Sequence, residues 1–126
     1  MGFFSKLFSK NNDWTRNELA ALVRSLEALA NSDGNYDNKE YEYIFDKMNE
    51  LNTIPWNSQT EVKSFQDKMK SLDTDDLIVI LEAMTDDKKQ IVADTFLELS
   101  LIDGVLSKDE LFFQTVFLKT IGFKNF

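Results

Sequence analysis

The chain has 126 residues, 43% hydrophobic and 13% aromatic, with one Pro and four Gly; it suits one domain with a single packed core. It holds no Cys and no His, which excludes disulfides, zinc centres built on those ligands, cysteine nucleophiles, histidine bases and Ser-His-Asp triads. A net charge of −8 without a basic face argues against duplex nucleic acid as a partner.

Residues 1–10 read MGFFSKLFSK. On a helix, Phe3, Phe4, Leu7 and Phe8 share one side, and Ser5, Lys6, Ser9 and Lys10 the other. Two readings stay open for this segment. Its rings dock onto the domain, or it is an arm for a membrane surface or a protein partner. Asn11-Asn12 breaks the pattern, so residues 1–12 form an amphipathic N-terminal segment and residues 13–126 the domain proper.

Helix 1 is expected from Thr15, where Thr15-x-x-Glu18 forms a capping box. Leu19, Leu22, Val23, Leu26, Leu29 and Ala30 follow at helical spacing on one face. Asn31-Ser32-Asp33-Gly34 ends it, with Gly34 suited to the left-handed position after a helix. Helix 2 starts at Asp37, with Tyr41, Ile44, Phe45, Met48 and Leu51 inward, and Pro55 blocks its continuation. Helix 3 opens at the box Ser58-x-x-Glu61, and its apolar positions are Val62, Phe65, Met69 and Leu72. Helix 4, capped by Asp73 or Thr74, carries Leu77, Ile80, Leu81 and Met84. Helix 5 begins at Thr85-Asp86-Asp87 and is apolar on several sides, which places it in the middle of a bundle. Helix 6, from Ser107, resembles it. No run alternates with period two. The fold class is therefore all-α: one compact bundle of about six or seven helices.

Two loops repeat a pattern. Asp33-Gly34-Asn35-Tyr36-Asp37-Asn38-Lys39-Glu40 and Asp103-Gly104-Val105-Leu106-Ser107-Lys108-Asp109-Glu110 both reduce to Asp-Gly-x-(apolar)-(Asp/Ser)-x-x-Glu. The bundle thus contains two pseudo-repeated helix–acidic loop–helix units. Capping explains much of the pattern: the glycines end helices, Asp37 and Ser107 cap the next ones, and Glu40 and Glu110 complete the boxes. Asp33 and Asp103 are different. An acid at the C-terminal end of a helix meets the negative end of the macrodipole and is disfavoured by roughly 0.3–1 kcal/mol. Two readings remain for them: an Asx-turn, or an oxygen-ligand site for Ca²⁺ or Mg²⁺. An EF-hand fails, because Asn38 stands where its glycine is required and Ile44 where its bidentate Glu is required. A cation would need acids from both loops.

These paired loops in a small acidic helical chain resemble the TerB-like family of bacterial tellurite-resistance proteins. They are also similar to the TerB-like part of certain membrane-anchored DnaJ co-chaperones. The match rests on Ala30, Asp33, Gly34 and Glu40, and on Ser100, Asp103, Gly104 and Glu110, and it spans roughly residues 15–121. The resemblance implies a helical bundle, an acidic cluster of Asp33, Glu40, Asp103 and Glu110 for a divalent metal, and a link to stress response. The second loop departs from a rich acidic pattern at Val105, Leu106 and Ser107.

The functional expectation is a non-enzymatic binding or adaptor module with an unknown protein partner. The rivals are a docking or membrane-surface module using Phe3, Phe4, Leu7 and Phe8, and a carboxylate metal-dependent hydrolase. No apolar run approaches the roughly 20 residues that cross a bilayer. No signal-peptide pattern is present. The expected location is cytoplasmic, with membrane association through the N-terminal segment as the variant.

Overall fold

The computed structural model describes residues 13–32, 36–102, 104 and 106–124. The N-terminal segment, with Phe3, Phe4, Leu7 and Phe8, lies outside the described residues. Six helices follow in order: α1 (Arg16–Ala30), α2 (Asn38–Leu51), α3 (Gln59–Ser71), α4 (Thr74–Glu82), α5 (Asp86–Ser100) and α6 (Lys108–Thr120). No strand occurs among the described residues.

Local chemistry sets the helix starts. Thr15, Asp37, Asp73 and Ser107 each accept the backbone N–H three residues on, while the acid at that position reaches back to the cap N–H. The expected box at Ser58 is only half made. Ser58 Oγ accepts from Glu61 N, but Glu61 Oε2 accepts from Asn57 N at 3.2 Å and its Oε1 pairs with Arg16 Nη2 at 2.9 Å. The Glu is diverted because α1 presents a guanidinium there. Element bounds recur seventy positions apart: 16–30 is matched by 86–100, and the start at 38 by the start at 108.

The core is arranged around α1. All five other helices pack against it. Its residues Leu19, Ala20, Ala21, Leu22, Leu26, Leu29 and Ala30 are fully buried, as is the Ser25 side chain, whose Oγ donates to Ala21 O at 2.7 Å. The expectation that α5 holds the centre is therefore corrected. Leu97 of α5 and Leu101 just after it are about half exposed, and the main packing of α5 is on α1, α2 and α6. Apolar residues on several sides, among them Ile91, Val92, Phe96, Leu97 and Leu99, marked α5. Small residues, which let neighbours approach closely, marked α1 without raising its apolar weight.

Polar links fix how the outer helices sit on the hub. Lys88 Nζ of α5 meets Glu18 Oε1 of α1 at 2.8 Å, with both side chains largely buried. Arg16 Nη2 donates to Ile54 O at 3.0 Å and its guanidinium stacks 3.7 Å over the Trp56 ring, tying the α2–α3 connection to α1. Tyr43 Oη donates to Glu98, joining α2 to α5, and Gln114 Nε2 donates to the buried Ser100 Oγ at 3.2 Å, joining α6 to α5. Rings of Phe96, Phe113 and Phe117 stack between α5 and α6, with Phe96 and Phe117 centroids 5.7 Å apart.

The hub assignment has a measurable consequence. Leu26→Ala removes a fully buried side chain and is expected to cost about 2–5 kcal/mol in urea unfolding. Leu97→Ala in α5 is expected to stay within about 0.5–1 kcal/mol. Equal losses at the two sites would contradict a central α1.

Candidate functional site

The two acidic loops come first, because the sequence points to them. Glu40 and Glu110 are buried and act as the returning arms of their capping boxes. Glu40 Oε1 accepts from Asp37 N at 3.2 Å, and Glu110 Oε1 from Ser107 N at 3.4 Å. Gly104 has φ of +82°, the left-handed geometry expected after a helix, and its N–H donates to Leu101 O at 2.9 Å. Asp33 and Asp103, with Gly34, lie outside the described residues. Ser32 beside the first loop and Asp109 after the second line one groove. Among the described residues, no group of three or more acids gathers as a cation would need. Glu40 and Glu110 are both engaged in their own capping boxes.

Two apolar seams open between outer helices. The larger, about 530 Å³, runs between α4 and α6 from Ser32, Thr74 and Asp109 at one end to Thr120 at the other. Ile78, Phe113 and Phe117 line it, with Phe112 at 72% exposure and Val116 half exposed.

The smaller, about 150 Å³, lies between α2 and α3 with Val23 and Glu27 of α1 in its wall. Its aromatic residues are Tyr36, Tyr41, Phe45, Trp56 and Phe65, and Trp56 meets Phe65 edge-on at 5.2 Å between centroids. Tyr41 and Phe45 were expected to face inward, but are 59% and 51% exposed, because α2 and α3 do not close over them.

Glu27 is the one charged residue of this cleft. Its Oε1 is buried without a hydrogen bond; Arg24 Nη1 stands 3.9 Å away, near enough for attraction and too far to donate. Burial pushes the carboxyl above the ordinary 4.5, against the smaller pull of Arg24 and Lys70. The Tyr36 hydroxyl is pushed up to about 12, by burial first and then by the charge of Glu27, so it stays protonated at neutral pH. Sequence reasoning missed this cleft. The available signal was the aromatic density between Tyr36 and Phe65, on a stretch otherwise rich in charge.

No described helix is long and apolar enough to cross a membrane. Searches against protein-family models, curated proteins and solved structures found no match for this chain.

The raised carboxyl predicts a pH effect. A carboxyl with a higher pKa folded than unfolded binds more protons in the native state, so it destabilises as pH rises from 4.5 through its folded value. Glu27→Gln lacks this loss. Its melting temperature relative to the parent chain is expected to increase between acid and neutral pH; a constant difference would remove the assigned strain.

Proposed function

We propose that this chain is a non-enzymatic adaptor module that receives an amphipathic helix in the groove between α4 and α6. One observation carries the reading: five helices surround α1, and α4 and α6 leave an apolar seam open between them. The seam is elongated along two neighbouring helices, and helix-in-groove recognition uses apolar anchors along such a groove. Asp109 in the groove, with Asp75 and Asp76 in the first turn of α4, favours an incoming helix whose polar side is basic. A role in stress response is the extension that the TerB-like resemblance supports, and a cytoplasmic location goes with it.

The sequence of residues 1–10 has this pattern of apolar and basic faces, so a synthetic peptide of that sequence is the probe. Titrated into the full chain, it is expected to bind saturably, with affinity lowered about tenfold or more by Phe112→Asp. Phe112 is exposed, so that variant should keep the parent melting temperature. Failure of the peptide to bind, or binding indifferent to Phe112, would remove the groove from the reading.

A second reading is a divalent-cation site at the paired loops, supported by Ser32 and Asp109, which flank the two loops in sequence and line one groove. Ca²⁺ or Mg²⁺ would relieve repulsion among Asp33, Glu40, Asp103 and Glu110 and tie the two helical units together. A ligand at a hundred times its Kd stabilises by about 2.7 kcal/mol. Melts of the full chain should therefore rise with one of these ions over EDTA, and lose the rise in the double variant Asp33→Asn with Asp103→Asn. Identical melts under all three conditions would end this reading.

A further inference from the structure

We propose that the cleft between α2 and α3 binds a small organic cation of the quaternary-ammonium type. The inference is independent of the groove between α4 and α6, since the two openings share no residue.

Three properties of the cleft converge on that chemistry. Its size comes first: about 150 Å³ is the volume that admits a benzene-sized guest, which matches a trimethylammonium head. Its walls come second. Five aromatic residues and the aliphatic Ile44 and Met48 supply an apolar lining, and the negative faces of aromatic rings attract cations that carry no strong hydration shell. Trp56 already holds the Arg16 guanidinium 3.7 Å from its ring centroid, so one wall of this cleft is engaged in that kind of contact.

The third property is charge. Glu27 is the sole ionisable acid or base in the lining apart from the tyrosine hydroxyls. One of its oxygens is buried with no donor, and burial disfavours its ionised form. A cation in the cleft adds positive charge beside this oxygen, which Arg24 attracts only from 3.9 Å, without demanding a directed hydrogen bond. A neutral guest fills the same space and adds nothing to the distant attraction of Arg24. An anion is opposed by the same carboxylate. A primary ammonium is a poorer fit, because its strong hydration has to be surrendered to walls that offer few acceptors.

Choline and its uncharged isostere 3,3-dimethyl-1-butanol separate these cases. Each is titrated into the full chain while the two indole N–H resonances are followed. Trp56 lines the cleft; Trp14 is buried beside Lys88 at the start of α5 and serves as the internal control.

The expected result is a saturable shift of Trp56 alone, with choline binding about tenfold tighter than the alcohol. Glu27→Gln should abolish that preference while leaving binding of the alcohol unchanged. Phe45→Ala, at a half-exposed rim position, should weaken choline in a chain whose Trp14 signal is unaltered. Equal affinity for the two compounds, no shift of Trp56, a parallel shift of Trp14, or choline binding unchanged in Glu27→Gln would each overturn the proposal.

Discussion

The interior position of α1 is the constraint on which the rest of this bundle depends. A helix contacted on every side has almost no face on which to place charge. Its middle is accordingly built from Leu, Val, Ala and one Ser whose hydroxyl is returned to its own backbone. Polarity is confined to its first turn and to the stripe of Arg24 and Glu27. The first turn does double duty. Glu18 Oε1 accepts the Thr15 N–H at 3.0 Å and also receives Lys88 Nζ, so one carboxylate caps the hub and locates α5 on it. A buried ion pair is weak evidence for net stability, because desolvation offsets much of its attraction. Its value here is positional: each charge has one place to be satisfied.

The same constraint explains both seams. Outer helices are selected for contact with α1 and only secondarily with each other. Where two of them also touch, as α5 does with α2 and α6, polar or aromatic links close the seam. Where such links are missing, apolar surface stays open. Phe112 and Val116 on one seam, and Tyr41 and Phe45 on the other, are exposed for this reason. Exposed apolar surface gathered in grooves points to recognition, whereas the same residues scattered singly would not.

Much of the architecture was legible because its signals are local. Capping residues announced the helix starts at Thr15, Asp37, Asp73 and Ser107, and apolar spacing identified Leu22, Leu26, Leu81 and Phe117 as core. What escaped was relational. Ala20 and Ala21 look neutral in a sequence, and only packing shows that their smallness centres α1. Glu61 reads as a box residue, and only the arrival of Arg16 diverts it. The α2–α3 cleft was invisible for the same reason: an amphipathic face predicts burial, but cannot reveal that the partner helix stands too far off to complete it. The loop acids divide along this line. Glu40 and Glu110 perform the capping that local rules assign, while the mutual placement of Asp33 and Asp103 belongs to long-range geometry.

A hub at the start of the sequence shapes how the molecule is made. During synthesis α1 leaves the ribosome before any of the helices that will enclose it, and Lys88, the ion-pair partner of Glu18, is seventy residues away. Translation at about 5–20 residues per second leaves that apolar helix unsheltered for several seconds. Its enclosure is completed only by α6, the last of the six helices to be made. Helices α2 to α5 cover most of the hub before α6 is made, so its exposure falls in steps as each one docks.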